Sequence, residues 1–341
     1  MGIRRLSRPY SSSEHLVLSV CSDRGKGWRF VMADSQTVYV DDSGTEPNQK
    51  IAAASFCVAT VDQWQQFLKA WNKIAVREGF ELKNFHMTEF AACRPTHICP
   101  QCQHGHTSAR EHPWQRWSDQ KRESVLRRMA KAVVKYVEFG VGHAYTKADY
   151  DEHVRNSPAR HVYNAPIGDE YLTFAIQRCG GSFAEWRAIN GRRDRLKFVF
   201  DSSSKKEKKE IAKVFFAAAN DGERIVNGVE RWFNPEEGVS YESRKTTHQL
   251  LSPDMLAWTV ATIRARDMFV SGHLATGGRF AEVLWLARVF VDTDHIKIGY
   301  LKKETLAHWE KEQLNASARE QRVSEVRSDN AEININKGVA R

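Results

Sequence analysis

The sequence predicts an α/β protein, a mixed sheet with helices on its faces. Two apolar runs rich in β-formers, Thr37–Val40 and Leu196–Phe200, each end at an aspartate. Between and after them, apolar residues recur every three or four positions, as on amphipathic helices. Strand-like and helix-like segments alternate along most of the chain, the pattern of a helix-flanked sheet.

Taken in order, residues 1–31 carry Arg4, Arg5, Arg8, a Ser-rich patch and a short apolar run at Leu16-Val17-Leu18. They read as an N-terminal extension outside the fold, with Met32 a natural start. The alternatives are an added edge strand or a nucleic-acid-binding arm. Val38, Tyr39 and Val40 then form a strand that ends in Asp41-Asp42 and turns at Ser43-Gly44. A second strand is expected over 51–60. A helix over 61–80 follows, with Trp64, Phe67, Leu68, Trp71 and Ile74 on one face, its tryptophans assigned to core packing rather than base stacking. Residues 91–115 are polar and rich in Cys and His, and read as an insertion. Helix 118–136 places Leu126, Met129 and Val133 inward and Arg127, Arg128, Lys131 and Lys135 outward. A strand over 137–146, a helix over 164–178 and the strand ending at Asp201 come next. A helix over 205–220, a strand near 228–233 and an apolar helix reaching about Met268 complete the series. Ser252 is its expected cap, Pro253 its first helical residue, and Asp254 lies in its first turn.

Gly277-Gly278 marks the end of a domain over 32–276. Residues 277–327 read as a helical C-terminal section, with helices over 280–291 and 301–327, and 328–341 as a disordered polar tail. No internal repeat is visible.

At 341 residues, 41% hydrophobic, with ten Trp and seventeen Phe, the chain can build a large core. No run of eighteen apolar residues is present, so a membrane-spanning helix is not expected, and no apolar segment backs the N-terminal arginines as in a secretory signal. The net charge of +9 suits a polyanionic partner, although 42 acids are interspersed among the 51 bases. Six cysteines in this length do not form a disulfide framework, and a reducing, cytoplasmic setting is expected.

Paired carboxylates at a strand end cost desolvation and mutual repulsion unless a cation lies between them. Mg²⁺ or Mn²⁺, hard ions that prefer oxygen, would offset both. Read singly, Asp41, Asp42 and Asp201 are turn acids and Asp254 a dipole-stabilising one. Together, strand-Asp, strand-Asp and helix-Asp resemble the ribonuclease-H-like nucleases. More closely, the words resemble domain-of-unknown-function family 3800. Its strand ending in Asp-Glu-Ser-Gly is here Asp41-Asp42-Ser43-Gly44, and its His-x-x-Glu is His86-Met87-Thr88-Glu89. Its next strand ends at Asp201, and its Ser-x-Lys word is Ser243-Arg244-Lys245. Its Gln-Leu-Ala-Asp-Leu-Leu-Ala stretch is here Gln249-Leu250-Leu251-Ser252-Pro253-Asp254-Met255-Leu256-Ala257, with a Pro beside the aspartate as a departure. The resemblance spans about residues 36–265.

The resemblance implies a ribonuclease-H-like fold and a two-metal phosphodiester hydrolase, of a kind often used as a toxin or antiphage effector. Asp41 is the implied bridging ligand, with Asp201 and Asp254 completing the two ion sites. Glu89 is the fourth acid, and His86 orients the attacking water or meets the phosphate. Asp42 is a ligand or supports one, and Lys245 approaches a phosphate. The rival is a non-catalytic module of the same fold that binds nucleic acid or a partner protein.

The insertion holds Cys93, His97, Cys99, Cys102, His104, His106 and His112. Cys99-Pro100-Gln101-Cys102 has zinc-knuckle spacing, and Cys93 with His97, or two of His104, His106 and His112, supplies the second pair. The alternative is a reduced loop without metal. Protein purified without chelator is expected to carry about one structural zinc per chain by elemental analysis, lost on Cys99→Ser; zinc-free wild-type protein would leave the insertion a plain loop.

Overall fold

This computed structural model describes residues 18–21, 29–32, 36–44, 49–92, 113–158, 171–192, 196–201, 208, 211, 239–270, 281–308 and single residues between 310 and 322. Strands β1 (Leu18–Cys21) and β2 (Arg29–Met32) pair antiparallel in a two-stranded sheet of their own. The main sheet holds β3 (Gln36–Ser43), β4 (Ile51–Thr60), β5 (Phe139–Thr146), β6 (Leu196–Asp201), β7 (Val239–Glu242) and β8 (Ile296–Leu301). Its order is β7-β6-β3-β4-β5-β8. β3, β4 and β5 form an antiparallel meander, β6 adds parallel to β3, β7 parallel to β6, and β8 parallel to β5. This is the mixed sheet flanked by helices that the sequence predicts.

Helices α1 (Val61–Glu78), α2 (Met87–Ala92), α3 (Asp119–Tyr136), α4 (Lys147–Tyr150), α5 (Tyr171–Ile189), α6 (Leu251–Val270) and α7 (Ala281–Val291) cover the sheet. Thr60 and Gln63 form a reciprocal capping box at α1, and Ser118 caps α3 by accepting the Lys121 amide. Strand alternation divides the core in two. Val38, Val40, Phe56, Val58, Phe198 and Phe200 face α5, and Tyr39, Cys57, Ala59 and Val199 face the α1, α3 and α6 side. Trp64 and Trp71 are buried there, and Trp71 Nε1 donates to the Met129 carbonyl at 3.1 Å, so these tryptophans serve the core as expected.

Helix α6 crosses β3, β4 and β5 directly. It sits low because small residues lie beneath it: a Cβ on Gly142 would meet Val260 Cγ1 at 2.9 Å and Leu256 Cγ at 3.3 Å. Arg122, on α3, is fully buried rather than facing solvent. Its guanidinium donates to the carbonyls of Phe90 and Trp114 and lies over the Phe90 ring, so one side chain joins the two chain segments flanking residues 93–112.

Several elements differ from expectation. Helix α5 runs through Ile189 rather than ending near 178, because Phe183 and Trp186 continue its buried stripe against Phe139. Ser252 does not cap α6; its Oγ donates to the Gln249 carbonyl, and the helix begins at Leu251 directly after a 3₁₀ turn at His248–Leu250. The C-terminal section is not wholly helical, since β8 joins the sheet and α7 packs on α3 and α6. β7 is a strand the apolar pattern did not reveal. Lys208 and Ile211, within the helix expected over 205–220, are helical. The strand near 228–233, the 91–115 insertion beyond its described ends and the 328–341 tail lie outside the described residues. Among the described residues, no helix is long and apolar enough to cross a membrane. Cys57 and Cys179 are free and buried.

Gly142→Ala should cost about 1–3 kcal/mol, because a well-packed helix must lift from the sheet to admit the methyl group. Thermal unfolding reads this, and an unchanged midpoint would mean that α6 is not seated so closely on β5.

Candidate active site

The strand ends and the start of α6 converge on one face of the sheet. Asp41 follows Tyr39 by two residues and Asp201 follows Val199 by two, so both aspartates share the α6 face. Val40 pairs with Phe200 in parallel register, which sets Asp41 and Asp201 side by side one residue on. β3 does not stop at the aspartates: Asp41 pairs with Ser55, Asp42 with Ala54 and Ser43 with Ala53. The chain turns only at Gly44, whose φ of 75° and close approach to the Ile51 carbonyl exclude a side chain.

Ser55, opposite Asp41, donates its hydroxyl to the Pro253 carbonyl at 2.7 Å. That bond fixes the first turn of α6 to the central strand β4 and brings Asp254 to the cluster. The Asp254 carboxylate is then oriented from the other side. Oδ2 accepts the Met87 amide at 3.0 Å, and Oδ1 lies 3.7 Å from His86 Nε2. Asp201 Oδ1 accepts the Arg244 amide at 3.3 Å, and Arg244 Nε is 3.6 Å from Asp201 Oδ2.

Asp41 is the most constrained member. It is 7% exposed. Oδ1 accepts the Asp42 amide at 2.8 Å, whereas Oδ2 is buried with no hydrogen-bond partner. Burial raises its pKa well above the usual carboxylate range, and the charges of Asp254, Asp42 and Asp201 raise it further. Asp254 is also raised, chiefly by burial, against the opposing pull of His86, the Met87 amide and Arg244.

The structure therefore brings Asp41, Asp42, Asp201, Asp254 and His86 into one electrostatic neighbourhood. Glu89 stands in the first turn of α2, half-buried, three residues beyond His86. Cys93, His97, Cys99, Cys102, His104, His106 and His112 lie outside the described residues. Sequence reasoning passed over three contributors: Ser55, the Met87 amide and Arg244. The Ser243-Arg244-Lys245 word held the signal for Arg244, but the strand that delivers it, β7, was not expected.

The donor set suits a hard divalent cation in kind. It offers carboxylate oxygens from three rigid elements, and one of those oxygens is buried without a partner. As arranged, no three His, Cys, Asp or Glu side chains among the described residues are grouped as ligands of one ion. The charge interactions and the unpartnered oxygen show proximity, and Asp201 and Asp254 each already have partners. Arg244 holds Asp201, while Met87 and His86 hold Asp254.

No family model matches the chain, and no curated protein is similar to it. Among solved structures, a chain from the PCNA:RNase HII complex of Archaeoglobus fulgidus matches at 9% identity with a TM-score of 0.30. The match covers 77% of this chain and 91% of that one, a likeness too slight to support any inference.

The raised acids make a stability prediction. In the folded state Asp41 stays protonated at pH values where the unfolded chain has lost that proton, so its contribution is lost as pH rises from the ordinary carboxylate range. Asp41→Asn mimics the protonated form. In metal-free buffer its stability relative to wild type should increase from pH 5 to pH 8, read from paired unfolding curves. A difference that stays flat or reverses would mean that the Asp41 charge is already offset in the folded protein.

Proposed function

We propose that this protein is a metal-dependent phosphodiester hydrolase acting on nucleic acid. The observation that supports this most is Asp41: a buried carboxylate with an unpartnered oxygen, set by the sheet register beside Asp201 and by the Ser55–Pro253 bond beside Asp254. The words shared with domain-of-unknown-function family 3800 and the net charge of +9 agree with it.

Asp41, Asp201 and Asp254 would hold Mg²⁺ or Mn²⁺. Bound there, such ions supply an activated water and stabilise the leaving 3′ oxygen. The chain's own residues do the rest. Ser55 and the Met87 amide hold Asp254 in place, so its orientation does not depend on substrate. His86, with its side chain about a quarter exposed beside Asp254, is placed at the rim to take a proton from the attacking water or to meet a phosphate oxygen. Asp42, through its own backbone amide, fixes the Asp41 carboxylate. Glu89 and Lys245 remain candidates for the fourth acid and a phosphate contact. A structural Zn²⁺ in the insertion, a cytoplasmic location and a defence role belong to the same reading.

The test is a cleavage panel of single- and double-stranded DNA and RNA with Mg²⁺ or Mn²⁺. Asp41→Asn should lower the rate by about 100-fold or more, since ion-borne charge stabilisation contributes several kcal/mol. Wild-type cleavage by that variant would remove Asp41 from the chemistry. Binding of an oligonucleotide without cleavage would favour the non-catalytic module.

A further inference from the structure

Arg244 contacts the acid cluster in two separable ways. Its backbone amide donates to Asp201 Oδ1 at 3.3 Å, and its side-chain Nε lies 3.6 Å from Asp201 Oδ2. Its positive charge acts on Asp41 and Asp254 as well as on Asp201. One guanidinium thus sits against the acid of β6, and its charge opposes the raised pKa of the acids on β3 and α6. The turn that carries it is tied down independently, since the Thr246 and Thr247 amides donate to the Ser243 carbonyl at 2.9 and 2.8 Å. The side chain itself is about one-third exposed, on the solvent side of the cluster. A turn held by its own backbone bonds, a partly exposed cationic head and a buried, unpartnered oxygen on the neighbouring strand form a competitive arrangement.

We propose that Arg244 is an internal stand-in for a divalent cation, holding the Asp201 carboxylate beside Asp41 and Asp254 until an ion displaces its guanidinium, which then turns toward a substrate phosphate. The proposal rests on the reading of the cluster as an ion site. Guanidinium stays charged at any working pH and cannot be neutralised in place, so an incoming ion must expel it. Once expelled, its planar fork matches phosphate oxygens. The Arg244 amide keeps Asp201 oriented throughout, because that bond belongs to the backbone.

The experiment measures Mn²⁺ binding by calorimetry, without substrate, for wild type, Arg244→Gln, Arg244→Lys and Asp41→Asn. Arg244→Gln removes the competing charge and keeps the amide, so it should bind Mn²⁺ about tenfold more tightly than wild type. Mn²⁺ should also raise its melting temperature by more than it raises that of wild type. Arg244→Lys keeps the charge and should bind Mn²⁺ about as wild type does; if Arg244→Gln does not fold, Arg244→Met takes its place, and equal affinity in Arg244→Met and wild type overturns the proposal. Equal or weaker binding by a folded Arg244→Gln, with wild type binding and Asp41→Asn not, overturns the stand-in role while the ion site stands. Mn²⁺ binding by neither wild type nor Arg244→Gln overturns both.

Discussion

The hydrogen bond from Ser55 Oγ to the Pro253 carbonyl ties the centre of the sheet to the start of α6, and the acid cluster depends on it. Ser55 is fully buried opposite Asp41, so its hydroxyl must find a partner inside the protein. The Pro253 carbonyl supplies one because α6 lies close over the small residues of β4 and β5. Ala53, Ala144, Gly140 and Gly142 leave room that larger side chains would fill. Pro253 departs from the word it resembles, yet it is well placed. A proline in the first helical turn forfeits no intrahelical donor, and its carbonyl remains available to the strand.

Burial without a full set of partners gives the cluster its character. Elsewhere two half-buried carboxylates are each answered by specific partners. Glu78 receives Arg128 and Lys121 and is held below the usual carboxylate range. Glu310 receives Ser157 and His153 and is likewise lowered. Asp41 and Asp254 go the other way, raised chiefly by burial and further by the charges of neighbouring aspartates. An uncompensated acid at the middle of a rigid sheet is costly for stability, and sites of that kind carry function more often than ordinary surface pairs do.

Much of this was legible in the chain. Strands β3, β4 and β6 announced themselves through Val38–Val40, 51–60 and 196–200, and Asp41 and Asp201 followed from the runs of β3 and β6. Helix α1 was plain from Trp64, Phe67 and Trp71. What escaped had weak or absent local signals. β7, Val-Ser-Tyr-Glu, is four half-buried residues and is defined by its pairing with β6 rather than by its pattern. β8 lies at the sheet edge between the helices expected over 280–291 and 301–327, where no strand was expected. Arg122 sits in a basic helix with exposed neighbours, and only the Phe90 ring and the carbonyls of Phe90 and Trp114 distinguish it. The sequence periods report which face is apolar, but not where a single charged side chain is drawn inward by two waiting carbonyls.

That guanidinium has a consequence for how the protein can vary. By bonding to both Phe90 and Trp114, Arg122 closes the neck of the intervening segment with atoms of the core. Phe90 and Trp114, which bracket residues 93–112, are therefore both held by α3. Lengthening a tethered loop adds only about 0.6 kcal/mol of closure entropy per doubling. The neck thus works as a socket: the segment plugged into it can be exchanged or enlarged in evolution, while α2, and with it the Met87 amide that steadies Asp254, keeps its place.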